Sequence, residues 1–369
     1  MKNRISYGKS ISESGTDIVV CPAFCDVHVH FREPGRPDKE TILTGCRAAV
    51  AGGYTAVCTM PNLDPAPDSI ENLEVQLEII RRDAFIDVVP YAAITGGRKG
   101  VGIVDMHSLK SSVIAFSDDG SGVQDDALML KAMETAAAED CIIAAHCEDN
   151  RFGTLPEGEW RQIERDLKLA EMTGCRYHVC HISTKESVGL IRRAKDRGVN
   201  VSCETAPHYI VLCDEDRTDD GRFKMNPPLR TAADREAIRE GLIDGTIDMI
   251  ATDHAPHTAA EKSLGFAGSA FGIVGLETAF PVLYTSLVRC GILSLEKLVE
   301  LMSTAPRRRF GIGSSEEDYA VFDIADPFRI DSCNFRSKGR STPFEGVEVY
   351  GRCLKTVHNG KIVYEAGNI

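Results

Sequence analysis

The chain of 369 residues has no apolar run near the roughly 18 residues that cross a bilayer, so no membrane-spanning helix is expected. Basic residues are in deficit. Lys and Arg number 42 against 55 Asp and Glu, and the net charge of −13, with no basic run, argues against a nucleic-acid partner. The 13 cysteines form no CxxC pair, which suits free thiols in a cytoplasmic protein rather than a disulfide framework. The residues from Met1 to Ile5 lack the hydrophobic segment of a secretion signal. Tryptophan occurs once, at Trp160, and packing on a helix is the simpler expectation for it than stacking on a substrate. No GxGxxG motif follows the first predicted strand, which counts against an open dinucleotide-binding sheet. What is present is 43% hydrophobic, enough for one large domain or a large and a small one.

The densest chemical signal is Asp26-Val27-His28-Val29-His30-Phe31-Arg32. Alternate side chains of an extended strand share a face, so Asp26, His28 and His30 project together. Two imidazoles so placed can hold one metal ion, with the carboxylate near enough to join or orient them. Arg32 shares that face at the strand mouth and offers a clamp for an anion. A polar strand end with two surface histidines would show the same pattern, and the rest of the chain decides between the two.

The rest repeats a strand-then-helix unit. Short apolar runs ending in polar residues occur at 55–62, 88–95, 113–120, 141–148, 177–183, 199–205 and 247–254, and with the opening strand they make eight. Near-continuous apolar runs are what strands buried on both faces look like. Amphipathic stretches from Asp125 to Glu139 and from Thr184 to Arg197, the second capped by Ser183 or Thr184, predict helices between them. Eight such units predict an α/β fold, a (β/α)8 TIM barrel, with a doubly wound sheet as the alternative. After residue 315 the pattern turns to strands, including a hairpin at Asn359-Gly360. The predicted division is a barrel over 22–315 and a small β side domain from 1–21 and 316–369, reduced because so few residues precede the barrel.

In this fold the C-terminal strand ends converge on one mouth. His28 and His30 end the first strand, Asn62 the second, Asp118 and Asp119 the fourth, His146 the fifth, His181 the sixth and Asp253 the eighth. Imidazole and carboxylate without thiolate suit Zn²⁺ or a similar divalent ion in a hydrolytic role. Four histidines and two aspartates exceed the needs of one tetrahedral ion, so two metals are expected, bridged by a carboxylate and a hydroxide.

These motifs resemble the dihydroorotases of the amidohydrolase superfamily. The likeness runs from about Asp26 to the C-terminus through the stretches 28–35, 60–62, 117–120, 145–148, 180–186, 225–230 and 252–257. It implies a zinc enzyme that reversibly cyclises N-carbamoyl-L-aspartate to L-dihydroorotate in pyrimidine synthesis. His28, His30 and Asp253 would hold one ion, and His146 and His181 the other. Many relatives bridge the two with a carboxylated Lys, but the stretch 113–120 holds none. The chain is similar to the branch that bridges with Asp, here Asp119, with Asp118 as second choice. Asp253 would also carry the proton, Arg32, Asn62 and His257 would clamp the substrate carboxylate, and Asn226 would contact the ring. A turn before Pro227 is the plain alternative for Asn226. The resemblance further implies a homodimer and an association with aspartate transcarbamoylase.

Two other readings stand beside this one: a dihydropyrimidinase- or allantoinase-like hydrolase, which would carry the strand Lys, and a non-catalytic scaffold, which would have lost metal ligands. Several residues are discounted. Cys147 and Cys180 are expected to pack into the barrel wall, His178 to lie on the face opposite His181, and His254 to point away from the metals. His208 is left open, and the run Arg307-Arg308-Arg309 is expected to be a solvated or salt-bridged helix face.

Overall fold

The computed structural model describes residues 17–367. Strand β1 (Ile18–Pro22) passes through Ala23 into β2 (Phe24–Val29), the first strand of the barrel. The barrel continues with β3 (Tyr54–Thr59), β4 (Asp87–Pro90), β5 (Ile142–Ala145), β6 (Arg176–Val179), β7 (Val201–Thr205) and β8 (Met249–Ile250). The parallel sheets β2-β3-β4 and β5-β6-β7-β8 are joined by single parallel bridges, Ala92 to Phe116 to Ile143 on one side and Val29 to His254 on the other. The barrel therefore closes, but its fourth position is not the full strand expected over 113–120. Only Phe116 bridges both neighbours, because the chain then turns into Asp118, whose carboxylate accepts from Ile94 N at 2.8 Å and Thr95 N at 3.1 Å.

Helices fill the intervals and start where sequence caps them. Asp125 accepts from Leu128 N ahead of Asp126–Ala138, and Thr184 from Ser187 N ahead of Lys185–Asp196. The barrel interior under the mouth is packed with Val27, Ala56, Cys58, Met60, Tyr91, Cys180, Met249 and Phe310. It is a floor, not a channel.

The ends of the described chain form a second, antiparallel sheet. β1 pairs with β9 (Tyr319–Asp323), then come β12 (Arg352–His358) and β13 (Lys361–Glu365), while β10 (Phe328–Arg329) and β11 (Glu348–Val349) form a separate pair. The turn Asn359-Gly360 has φ of 48° and 72°, the positive pair a two-residue hairpin needs. Residues 1–16 of the expected side domain lie outside the described residues. The sheet is anchored to the barrel by aromatic packing: Phe322 lies 5.5 Å from Phe24 and 4.0 Å from Phe280. Gly53 allows that approach, since at φ +90° a Cβ there would fall 2.6 Å from Phe322.

The arginine run corrects the sequence reading. Arg307 is buried, and its Nη2 donates to Thr55 Oγ1 at 3.0 Å at the base of β3. Arg309 reaches Asn200 Oδ1 at 2.6 Å and Tyr177 O at 2.9 Å. Only Arg308 is exposed, because a short helix lying across the barrel base turns its other two arginines onto strand ends.

Candidate active site

Hydrogen bonding settles how the histidines face. His28 Nδ1 lies 2.6 Å from Glu204 Oε1 and His30 Nδ1 lies 2.9 Å from Asn62 Oδ1. Both oxygens accept, so each ring carries its proton on Nδ1 and turns an Nε2 lone pair to the mouth. Asp119 Oδ1 faces His28 Nε2 at 3.4 Å, His181 Nε2 at 3.4 Å and His146 Nδ1 at 3.6 Å, while Oδ2 is 3.5 Å from His30 Nε2. His28 Nε2 and Asp119 Oδ1 are buried without a hydrogen-bond partner. Lone pairs converging in a buried site repel one another until a cation takes them. The donors form two triples that share Asp119: His28 with His30, and His146 with His181, the ligand atoms of each triple lying within 4.8 Å of one another. Asp253 Oδ1 stands 3.1 Å from His30 Nε2 and 3.6 Å from His28 Nε2, beside the first triple. An all-imidazole and carboxylate set sharing one carboxylate fits divalent metal binding.

The surrounding residues hold this array. Arg98 Nη2 donates to the Asp119 carbonyl, and Asp118 is turned away onto Thr95. Asp26, the carboxylate considered a possible ligand, instead accepts from His28 N at 3.0 Å and from Thr252 Oγ1 at 2.6 Å, tying the first strand to the eighth beside Asp253. His181 and Asp253 have φ of 33° and 50°. Left-handed backbone at such residues costs roughly 1–3 kcal/mol and is kept where the surroundings impose it. Burial opposes charge on Asp119, yet His28, His146 and His181 hold its carboxyl well below the usual range. The same balance of burial against His28 and His178 brings Glu204 down to about 2.

The left-handed turn at His181 also corrects two expectations. Strand β6 ends at Val179, so alternation stops there. Cys180 consequently points inward with His181 and has its thiol grouped with the donor atoms of His28 and Glu204. His178 does not face away but lies in the barrel interior, with Nε2 3.1 Å from Glu204 Oε2 and Nδ1 2.8 Å from Ser202 Oγ. His254 does point away, to Glu40 at 3.3 Å.

Two supporting carboxylates were missed from sequence. Glu204 orients His28, and Glu148 Oε2 lies 3.3 Å from His146 Nε2 and 2.5 Å from Asn226 Nδ2. A charged residue inside the apolar run of β7 was the available signal for Glu204. Glu204→Gln keeps the shape but weakens the fixing of the His28 tautomer. Metal affinity, measured by competition with a chelator, is expected to fall about 10- to 100-fold. An unchanged affinity would remove Glu204 from the site.

Above the donors opens a cleft of about 270 Å³. Nine of the ten residues picked from sequence line it: His30, Arg32, Asn62, Asp119, His146, His181, Asn226, Asp253 and His257, with His28 beneath. Arg32 Nε donates to Pro256 O at 3.3 Å, and its Nη atoms have no protein acceptor among the described residues. Burial brings Arg32 down to about 10, so it stays charged at neutral pH.

Burial also keeps two nearby histidines neutral. It lowers His208 to about 4, and with Arg32 and Lys39 it lowers His257 to about 3. In the unfolded chain both titrate near 6.5. Their contribution to stability is therefore complete above about pH 6.5 and is lost as pH falls from there toward 4, by up to about 1.4 kcal/mol per pH unit each. Denaturant midpoints at pH 7 and pH 5 should differ less in His208→Leu than in the parent protein. An equal difference would count against a neutral, buried His208.

The model of the family described as Dihydro-orotase-like matches residues 17–187. A dihydroorotase from Geobacillus sp. (strain WCH70) is 47% identical, covering 95% of this chain and 88% of that protein. One from Fusobacterium nucleatum subsp. nucleatum is 49% identical, covering 94% and 87%. Among solved structures, the L-hydantoinase (dihydropyrimidinase) from Arthrobacter aurescens superposes with a TM-score of 0.86 at 25% identity, over 95% of this chain and 86% of that one. The dihydropyrimidinase from Brevibacillus agri NCHU1002 gives 0.84 at 22% identity, over 94% and 85%, a likeness of fold.

Proposed function

Since the chain belongs to the dihydroorotase family, we propose that the cleft at its barrel mouth binds L-dihydroorotate and N-carbamoyl-L-aspartate and interconverts them. The chain is a cyclic amide hydrolase with dihydroorotase function. The observation that carries the substrate assignment is Arg32: a half-buried cation whose Nη donors have no protein acceptor among the described residues, in the same cleft as the converging His and Asp donors. A guanidinium so placed matches a carboxylate in a forked pair. The neutral rings of the hydantoinase and dihydropyrimidinase reading would leave it unpaired.

In this reading His28, His30 and Asp253 would hold one Zn²⁺ and His146 and His181 a second, with Asp119 as the carboxylate the two sets of donors share. The ions, when bound, supply Lewis acidity that makes water nucleophilic near neutral pH and polarises the ring carbonyl. Asp253 handles the proton. Burial opposes its charge, but the neighbouring His30 and His28 rings hold it well below the usual carboxylate range, so it is ionised. In ring opening it takes the proton of the attacking water and delivers it to the amide nitrogen as the carbon–nitrogen bond breaks. In ring closure it removes that proton from the ureido nitrogen. Arg32 and Asn62 Nδ2 hold the ring carboxylate, while Asn62 Oδ1 keeps His30 in its tautomer. His257 completes the clamp. Asn226, carried by Glu148, faces the ring.

Ring opening releases one proton, since a second carboxylate appears. With the protein as catalyst, the equilibrium ratio of dihydroorotate to carbamoyl aspartate is expected to rise about tenfold for each pH unit lowered near neutrality. Following both species from either direction at pH 6, 7 and 8, on protein of measured metal content, tests this reading. No interconversion by protein carrying two ions per chain would overturn it.

A further inference from the structure

Behind the anion clamp lies a buried cation that the mechanism does not use. Lys39 Nζ is 3.0 Å from His257 Nδ1 and 2.8 Å from Glu261 Oε1, with little of the side chain exposed. An ammonium can only donate, so Nδ1 of His257 accepts and the ring proton sits on Nε2. That Nε2–H donates to Phe271 O at 2.7 Å. The acceptor is itself held in place. Lys262 Nζ donates to Lys224 O at 2.9 Å and to Ala270 O and Gly272 O at 2.7 Å, gripping the backbone on both sides of Phe271. Gly272, at φ +134°, lets this segment pack close: a Cβ there would fall 2.6 Å from Ala255 O and 3.0 Å from His257 Cδ2.

We propose that Lys39 is a positioning residue for substrate recognition, one that fixes His257 as an Nε2–H donor in the wall of the cleft. The inference rests on the dihydroorotase reading and adds to it the residue that prepares the clamp. Its work is directional as well as Coulombic: it fixes which ring nitrogen carries the proton, while Glu261 sits against it and offsets part of its charge. Burial opposes charge on Glu261, but Lys39 and the cap at Thr258 bring it down to about 2. Without Lys39, Glu261 Oε2, 3.6 Å from His257 Nδ1, is the nearest acceptor and draws the ring proton to that side. Nε2 then presents a lone pair to the incoming carboxylate, and attraction becomes repulsion. With Lys39 in place, a carboxylate in the cleft shares the Nε2–H with the Phe271 carbonyl in a bifurcated bond.

Steady-state kinetics on dihydroorotate in the metal-loaded enzyme test the proposal. Lys39→Met is expected to raise KM about tenfold or more while kcat stays within about threefold, the signature of lost uniform binding. Lys39→Gln, whose amide can still donate to Nδ1, is expected to keep KM within about threefold of the parent. His257→Asn should raise KM by itself, and adding Lys39→Met to it should raise KM no further, since both act through one ring. Lys39→Ala replaces the Met variant if that one does not fold. A folded Lys39→Met enzyme with unchanged KM, or losses that multiply in the double variant, would overturn the proposal. So would a ¹⁵N spectrum of the histidine-labelled parent showing the His257 proton on Nδ1. Failure of the parent itself to turn over dihydroorotate would fall on the functional reading, whereas the ¹⁵N spectrum bears on Lys39 alone.

Discussion

Asp253→Asn is expected to lower kcat for dihydroorotate about 10³-fold or more while the protein keeps most of its bound metal. The reasoning joins backbone, hydrogen bond and proton. Asp253 sits at φ 50°, a conformation Asn adopts nearly as readily as Asp, so the substitution adds no backbone strain. The Asn oxygen can stay 3.1 Å from His30 Nε2, where Asp253 Oδ1 is found, and remain beside the first triple of donors. Only the ability to take and return a proton is lost, and positioned acid–base groups contribute about 10² to 10⁴ in rate. His28, His30, His146 and His181 differ in kind. Each supplies a lone pair to one of the two triples, so changing any of them to Ala should lower bound metal and turnover together. Metal content after dialysis, set beside kcat for the same sample, separates the classes. An Asp253→Asn enzyme within tenfold of the parent at full loading would remove Asp253 from proton transfer.

Much of this site was legible because its residues lie at or just past the ends of barrel strands. His28 near the end of β2 and His30 just past it turn to one mouth, as alternation predicts, and parallel strands in a closed barrel bring Asn62, Asp119, His146, His181 and Asp253 to the same end. Choosing between Asp118 and Asp119 from position alone was harder. The structure separates them through the hairpin bridged at Thr95 and Ile103: Thr95 takes the Asp118 carboxylate and Arg98 the Asp119 carbonyl. What escaped the sequence escaped for stated reasons. His178 and Cys180 were misassigned because alternation was carried past Val179, where β6 ends and His181 turns left-handed. Glu204 and Lys39 act across 176 and 218 residues of chain, on His28 and His257, and no local period reports such a contact. The buried Arg307 was hidden in a run whose neighbour Arg308 is indeed exposed.

Dihydroorotate is expected to be turned over with kcat/KM about 10³-fold or more above dihydrouracil, and Arg32→Met to erase most of that margin. The two rings differ by one carboxylate. Arg32 meets it as a half-buried cation, spending Nε on Pro256 O and leaving its Nη donors without a protein partner among the described residues. A ligand lacking the carboxylate forgoes the charge-assisted pair with that cation, and such a pair in a partly desolvated site is worth several kcal/mol. Met fills similar volume without the charge, so the forked pair that holds dihydroorotate is lost. The margin should therefore close from above: dihydroorotate slows by most of the factor, while dihydrouracil gains little, since its ring carries nothing for Asn62 or His257 to hold. Assays on dihydroorotate, dihydrouracil, hydantoin and allantoin at one metal loading measure both ends of the comparison. Equal rates on dihydrouracil and dihydroorotate in the parent enzyme would refute the carboxylate clamp. An Arg32→Met enzyme that kept the full preference would move the clamp to other residues of the cleft.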